Sequence, residues 1–139
     1  MGEHIRIHVE LNSKDGPAGE TLWGTKSSEF TAIIDNIPFF ADEVCLGDKV
    51  MIHRDEEGIY KFVKVLDRHS RRFLFQYKTG RSEEQCRKNW IKIVKRFEKL
   101  NFKCEGAAPG VGAVAYKIEE QEACEDALNE CSLVIEYGE

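Results

Sequence analysis

Apolar and polar positions alternate at the start of the chain, where Ile5, Ile7, Val9 and Leu11 interleave with His4, Arg6, His8 and Glu10. A period of two puts the four apolar side chains on one face, which predicts a strand with one wet side. Residues 12–19, with Asp15-Gly16-Pro17 inside them, have the composition of a turn. Residues 20–25 and 30–34 are read as a second and third strand, joined around Lys26-Ser27-Ser28. The pattern then breaks at Asn36-Ile37-Pro38-Phe39-Phe40. Proline fixes its own φ and disfavours helix at the residue before it, so this segment is expected to be a rigid connector with its aromatic side chains turned inward. Strands are predicted at 49–53 and 59–66, with Asp55-Glu56-Glu57-Gly58 closing the hairpin between them. Five short strands of this kind predict a β-rich subdomain over 1–68, a small barrel or a strongly bent sheet.

Beyond residue 68 the period changes. A strand at 72–78 puts Phe73, Phe75 and Tyr77 on one side. Ser82 then stands as a helix N-cap with Gln85 three residues on, and Glu83 and Glu84 occupy the first turn, where the helix dipole favours them. Cys86, Trp90, Ile93, Phe97 and Leu100 recur at spacings of four and three residues, and Ile91 and Val94 widen the stripe. A strand at 102–105, a flexible connection at 106–110, a strand at 111–118, a helix at 121–131 and a last strand at 133–137 follow. The order β-α-β-β-α-β predicts a ferredoxin-like unit over 69–139, with two helices on one face of an antiparallel sheet. The fold class is therefore α+β.

Charge changes this picture in one respect. The formal net charge is -5, yet residues 68–103 carry 12 basic and 3 acidic side chains, while 104–139 carry 1 basic and 9 acidic. The first helix thus presents a cationic stripe, Lys88, Lys92, Lys95 and Lys99, beside an acidic second helix. The five cysteines form no Cys-x-x-Cys pair and are odd in number, which points to small core residues and not to a disulfide framework or a zinc knuckle. No apolar run approaches the roughly 20 residues of a membrane helix. The opening residues lack a cationic and apolar leader, so a cytoplasmic protein without membrane attachment is expected.

Candidate chemistry is sparse. Gly106-Ala107-Ala108-Pro109-Gly110-Val111-Gly112 lacks the Lys-Ser/Thr ending of a phosphate loop and precedes a strand. His4 and His8 share a face but sit about 13 Å apart, too far for one metal. No nucleophile, base or ligand set stands at a diagnostic spacing, so no catalytic residue, cofactor or metal is assigned. Trp23 reads first as core and second as an interface anchor.

Glu20-Thr21-Leu22-Trp23, Asp35-Asn36-Ile37-Pro38-Phe39-Phe40-Ala41, Leu46-Gly47-Asp48-Lys49-Val50 and the turn Asp55-Glu56-Glu57-Gly58 carry a resemblance. They resemble an uncharacterised bacterial domain-of-unknown-function family with Glu-x-Leu-Trp, Asn-Ile-Pro-Phe and Gly-Asp-x-Val motifs. The resemblance supplies no catalytic residues. By analogy with small acidic proteins that neutralise bacterial toxins, it implies an immunity-type role. The expectation is a non-catalytic protein-interaction protein whose surface includes Lys88, Lys92, Lys95, Lys99, Trp23, Phe39 and Phe40. Two alternatives stand beside it: a nucleic-acid-binding protein using the basic first helix, and a small enzyme with a site between the two halves.

Overall fold

A computed structural model describes residues 2–12 and 16–139. The turn expected around Asp15-Gly16-Pro17 falls partly outside the described residues. The chain divides into two compact units, Met1–Ser70 and Arg71–Glu139.

The first unit is a closed five-stranded barrel: β1 (His4–Glu10), β2 (Gly19–Lys26), β3 (Thr31–Ile34), β4 (Lys49–Arg54) and β5 (Tyr60–Asp67). Neighbouring strands pair antiparallel in chain order, and β1 closes the circle by pairing parallel with β5 at Ile7 and His8. The alternation of β1 survives intact, with Ile5, Ile7 and Val9 buried. They meet Leu22, Ala32, Ile34, Val50 and Ile52 from the other strands, and Ala41 and Val44 from the long β3–β4 connection. A barrel of this size needs no sheet packed on its inner face, because its own side chains fill it.

The second unit contains β6 (Arg71–Tyr77), α1 (Glu83–Lys99), β7 (Lys103–Ala108), β8 (Val111–Tyr116), α2 (Gln121–Glu130) and β9 (Val134–Gly138). Its antiparallel sheet has the order β7-β8-β6-β9, so the ferredoxin-like arrangement is present. Phe73, Phe75 and Tyr77 face the helices and pack with Ile93, Phe97, Cys124, Ala127 and Leu128. Gly112 is required for that packing: a Cβ there would lie 2.6 Å from the Trp90 ring and 2.7 Å from Phe75. Ser82 caps α1 by accepting the Gln85 N–H at 3.1 Å. Buried Asn89 ties the helix to the end of β6, donating to the Lys78 carbonyl at 2.7 Å.

Several expectations are corrected. Gly106–Ala108 is not a flexible connection but the end of β7, because it pairs with β8 and the Trp90 ring lies close above Gly106. Ile118 lies in a 3₁₀ turn before α2 and not in β8. Ile91 and Leu100 are exposed, Ile91 because it lies outside the arc facing the sheet and Leu100 because it forms the C-cap. Trp23 is not core: it is 41% exposed, since Leu22 and Gly24 on either side of it take the inward positions. Phe40 does not turn inward either and is 57% exposed, while Ile37 and Pro38 of the same connector are buried.

Candidate functional site

The β3–β4 connection has no regular secondary structure, so its amides must find partners outside a ladder. Glu20, near the start of β2, supplies three of them. Its carboxylate accepts from the N–H groups of Phe39 at 2.8 Å, Phe40 at 3.1 Å and Ala41 at 2.9 Å. A carboxylate on successive amides is a charge-assisted arrangement that holds the backbone in one path. The path buries Pro38 and Ala41, leaves Phe39 half-buried and turns Phe40 to the surface.

Asn36 does the same for Trp23. Its side-chain oxygen accepts the Trp23 N–H at 2.7 Å, and the Trp23 carbonyl accepts the Asp35 N–H at 2.9 Å. The indole lies on the outer wall of the barrel against β1. His4 stacks on it at 4.5 Å between ring centroids, and the Arg6 guanidinium sits 5.0 Å from the ring. Asp35 completes the cluster, accepting from the Thr25 hydroxyl at 2.6 Å with His4 Nε2 at 3.4 Å. The register explains the grouping, because Arg6 is directly opposite Trp23 and His4 opposite Thr25.

Two further carboxylates hold backbone. Asp48, fully buried, accepts from the N–H groups of Cys45 at 2.9 Å and His69 at 2.6 Å, with Arg68 3.8 Å away. Gly47 beside it has a φ of +83°, a conformation that favours glycine. Asp55 shapes the β4–β5 turn by accepting from Glu57 and Ile59, each at 2.9 Å. The Ile59 N–H, above all, holds its carboxyl below the usual range; burial opposes this, and Glu57 and Lys61 assist. A cavity of about 500 Å³ borders this turn, lined by His8, Asp55, Glu56, Glu57, Ile59 and Lys61. Its carboxylates are engaged with backbone or with Lys61, or lie exposed at its rim.

In the second unit Lys88, Lys92, Lys95 and Lys99 are all exposed on α1. Lys88 lies 3.3 Å from Glu84 one turn earlier. Arg96 reaches Glu130 of α2 at 3.8 Å, so the opposite charges of the two helices do meet at their seam. The sheet aromatics are unavailable for stacking on a base, because Phe73 and Phe75 are 2% exposed beneath the helices. Burial pushes the thiols of Cys104 and Cys124 up to about 12, with nearby acidic groups adding to it. Among the described residues no three His, Cys, Asp or Glu side chains converge as metal ligands. Among the described residues no helix is long and apolar enough to cross a membrane.

Trp23, Phe39 and Phe40 thus belong to the barrel unit, and the four lysines to the other. Neither the Glu20 clasp, the Asn36 bond nor the partners of Trp23 were expected from the sequence. The last had a local signal: Trp23 shares its side of the strand with Thr21 and Thr25, the polar side.

Residues 20–133 match the model of a family described as Domain of unknown function (DUF4265). A solved structure described as "Novel crystal structure of a hypothetical protein from Neisseria gonorrhoeae" is similar at a TM-score of 0.64 and 15% sequence identity, covering 100% of this chain and 94% of that one. At that identity the likeness concerns the fold alone. No curated protein matches the chain.

Proposed function

We propose that this chain, which belongs to the DUF4265 family, is a non-catalytic protein-interaction protein that meets its partner through Trp23, Phe39 and Phe40 of the barrel. One observation carries the reading. The exposed aromatic side chains stand on backbone held by side-chain acceptors, Glu20 for the Phe39–Phe40 segment and Asn36 for Trp23. Large aromatic residues dominate the energetics of protein interfaces, and their contribution grows when little freedom is lost on binding. The polar residues of the barrel support the same reading, because Glu20, Asn36, Asp48 and Asp55 all hold backbone amides. The finer role we assign is that of an immunity-type protein that occludes a toxic partner.

The test is capture of purified products of neighbouring genes by the wild-type chain and by the double variant Trp23→Ala, Phe40→Ala. Both substitutions remove exposed side chains, so the fold should persist and the complex should be lost. A partner bound equally well by both proteins rules out this surface, and the absence of any partner rules out the role.

A second reading rests on Lys92, Lys95 and Lys99, which line one exposed side of α1 over about 10 Å. Three cations in line suit a phosphate backbone, whose binding weakens steeply with salt. Lys92→Glu and Lys95→Glu should then abolish salt-dependent retention of an oligonucleotide; retention unchanged by both sinks it.

A further inference from the structure

We propose that the partner of the Trp23 surface meets it with a carboxylate, an Asp or Glu side chain received by the guanidinium of Arg6. This rests on the reading of Trp23 as a protein contact and adds the chemistry of what binds there. Arg6 stands on β1 between buried Ile5 and Ile7, so its side chain points outward and is exposed. The β1–β2 register sets it directly opposite Trp23, and its guanidinium lies 5.0 Å from the centre of the indole. A guanidinium held on an aromatic ring keeps donors for a second contact, because its N–H groups fan out in one plane in a fork that matches a carboxylate.

The ring that holds Arg6 is itself fixed. Asn36 accepts the Trp23 N–H, and the Asp35 N–H donates to the Trp23 carbonyl, so the backbone is tied on both sides of the indole. Asp35, the carboxylate of this cluster, is engaged elsewhere: its Oδ2 accepts the Thr25 hydroxyl at 2.6 Å and lies 3.4 Å from His4 Nε2. Among the described residues no carboxylate comes within ion-pair distance of Arg6. The outward residues around it, His4 and His8 on β1 and Thr21, Trp23 and Thr25 on β2, include no acid. Residues 1–70 carry 13 acidic and 8 basic side chains, so this wall departs from the charge of its own unit.

Charge and shape choose the occupant. Trp and Arg are the residue types that most often dominate a protein interface, and here they adjoin. A carboxylate bound by both arms of the fork gains charge and geometry together. A nucleic acid would need an open ring face for a base and a row of cations for its backbone. His4 instead stacks on the indole at 4.5 Å with 16° between the planes, and Arg6 is the single permanent cation among these six outward residues. What remains of the ring suits an apolar side chain next to the partner's carboxylate.

Titration of the full chain with a synthetic Glu-Leu-Glu-Glu-Leu-Glu peptide, followed by NMR at the Trp23 indole N–H, tests this. Trp23→Phe tells that signal from the one of Trp90. A saturable shift is expected at low salt, absent with matched peptides carrying Gln or Lys in place of Glu. Arg6→Gln should weaken binding by about tenfold. Arg6→Lys should weaken it less, since lysine keeps the charge and loses the fork. No shift at Trp23, a shift indifferent to Arg6→Gln, or an oligothymidylate that displaces the peptide from Trp23 overturns the proposal. Should Arg6→Gln lose its fold by circular dichroism, Arg6→Lys replaces it, and an affinity equal to wild type then overturns the proposal. The protein-contact role and the carboxylate site fail separately. Peptide binding through Arg6 without capture of any neighbouring-gene product upholds the site and sinks the role. Capture that is lost in Trp23→Ala, Phe40→Ala but unchanged in Arg6→Gln upholds the role and overturns the site.

Discussion

The barrel and the sheet-and-helix unit are ordered by different means. In the barrel, side-chain acceptors hold irregular backbone: Glu20 takes the amides of Phe39, Phe40 and Ala41, Asn36 that of Trp23, Asp48 those of Cys45 and His69, and Asp55 those of Glu57 and Ile59. In the second unit the helices satisfy most of their own amides, and a cluster of Phe73, Phe75, Tyr77, Phe97, Phe102 and Tyr116 holds the layers together. Charged side chains therefore mean different things in the two regions. In the barrel Glu20, Asp48 and Asp55 are structural acceptors, because an amide without a ladder must be matched. The cations along α1 are exposed, and the fold asks little of them.

The largest test of this contrast removes packing from the second unit. Phe97→Ala should cost about 3–5 kcal/mol, measured by urea unfolding, with hydrogen exchange rising across β6–β9. A loss under 1 kcal/mol, roughly a surface effect, would show that the aromatic cluster is not what orders that unit. Glu20→Ala comes next, at about 2 kcal/mol, since it leaves three amides without their charged acceptor. Exchange at Phe39, Phe40 and Ala41 should rise with it; amides that stay protected would mean the loop is held some other way. A smaller effect separates the units by pH. The Cys104 and Cys124 thiols ionise at about 12 when folded, against an ordinary value of 9.0. Unfolding frees them to ionise, so stability is intact below about pH 9 and declines as pH rises towards 12. On the order of 1 kcal/mol per thiol should be lost by about pH 10. Both thiols should also resist alkylation of the native protein near pH 8; rapid labelling of either would contradict their burial. The smallest effect is expected from Lys92→Glu and Lys95→Glu, each within about 0.5 kcal/mol of wild type by thermal unfolding. A larger loss would give α1's charges a structural part.

Much of the fold was legible along the chain. Period-two alternation marks β1, and the recurrence of Cys86, Trp90, Ile93 and Phe97 marks α1, because burial on one side of a regular element leaves a regular trace. The end of β7 was not legible: Gly106, Ala107 and Ala108 carry the composition of a loop, and only the pairing with β8 and the Trp90 ring close above Gly106 show a strand there. The surface was legible in part. The exposed lysines follow from helical period, whereas the position of Phe40 does not follow from its sequence neighbourhood, in which two of the preceding three residues are buried.

By itself the sequence determined the class and order of the elements, the barrel followed by the ferredoxin-like unit, and the segregation of charge between two helices. These depend on periodicity and composition within windows of ten or so residues. Only the tertiary structure decided which side chains Trp23 meets, His4 and Arg6, and that Glu20 and Asp48 hold backbone 19 to 22 residues away. Those pairings exist because the barrel closes. A hydrogen bond between distant parts of the chain is set by where closure brings the amide, and the residues on either side of the acceptor carry no trace of it.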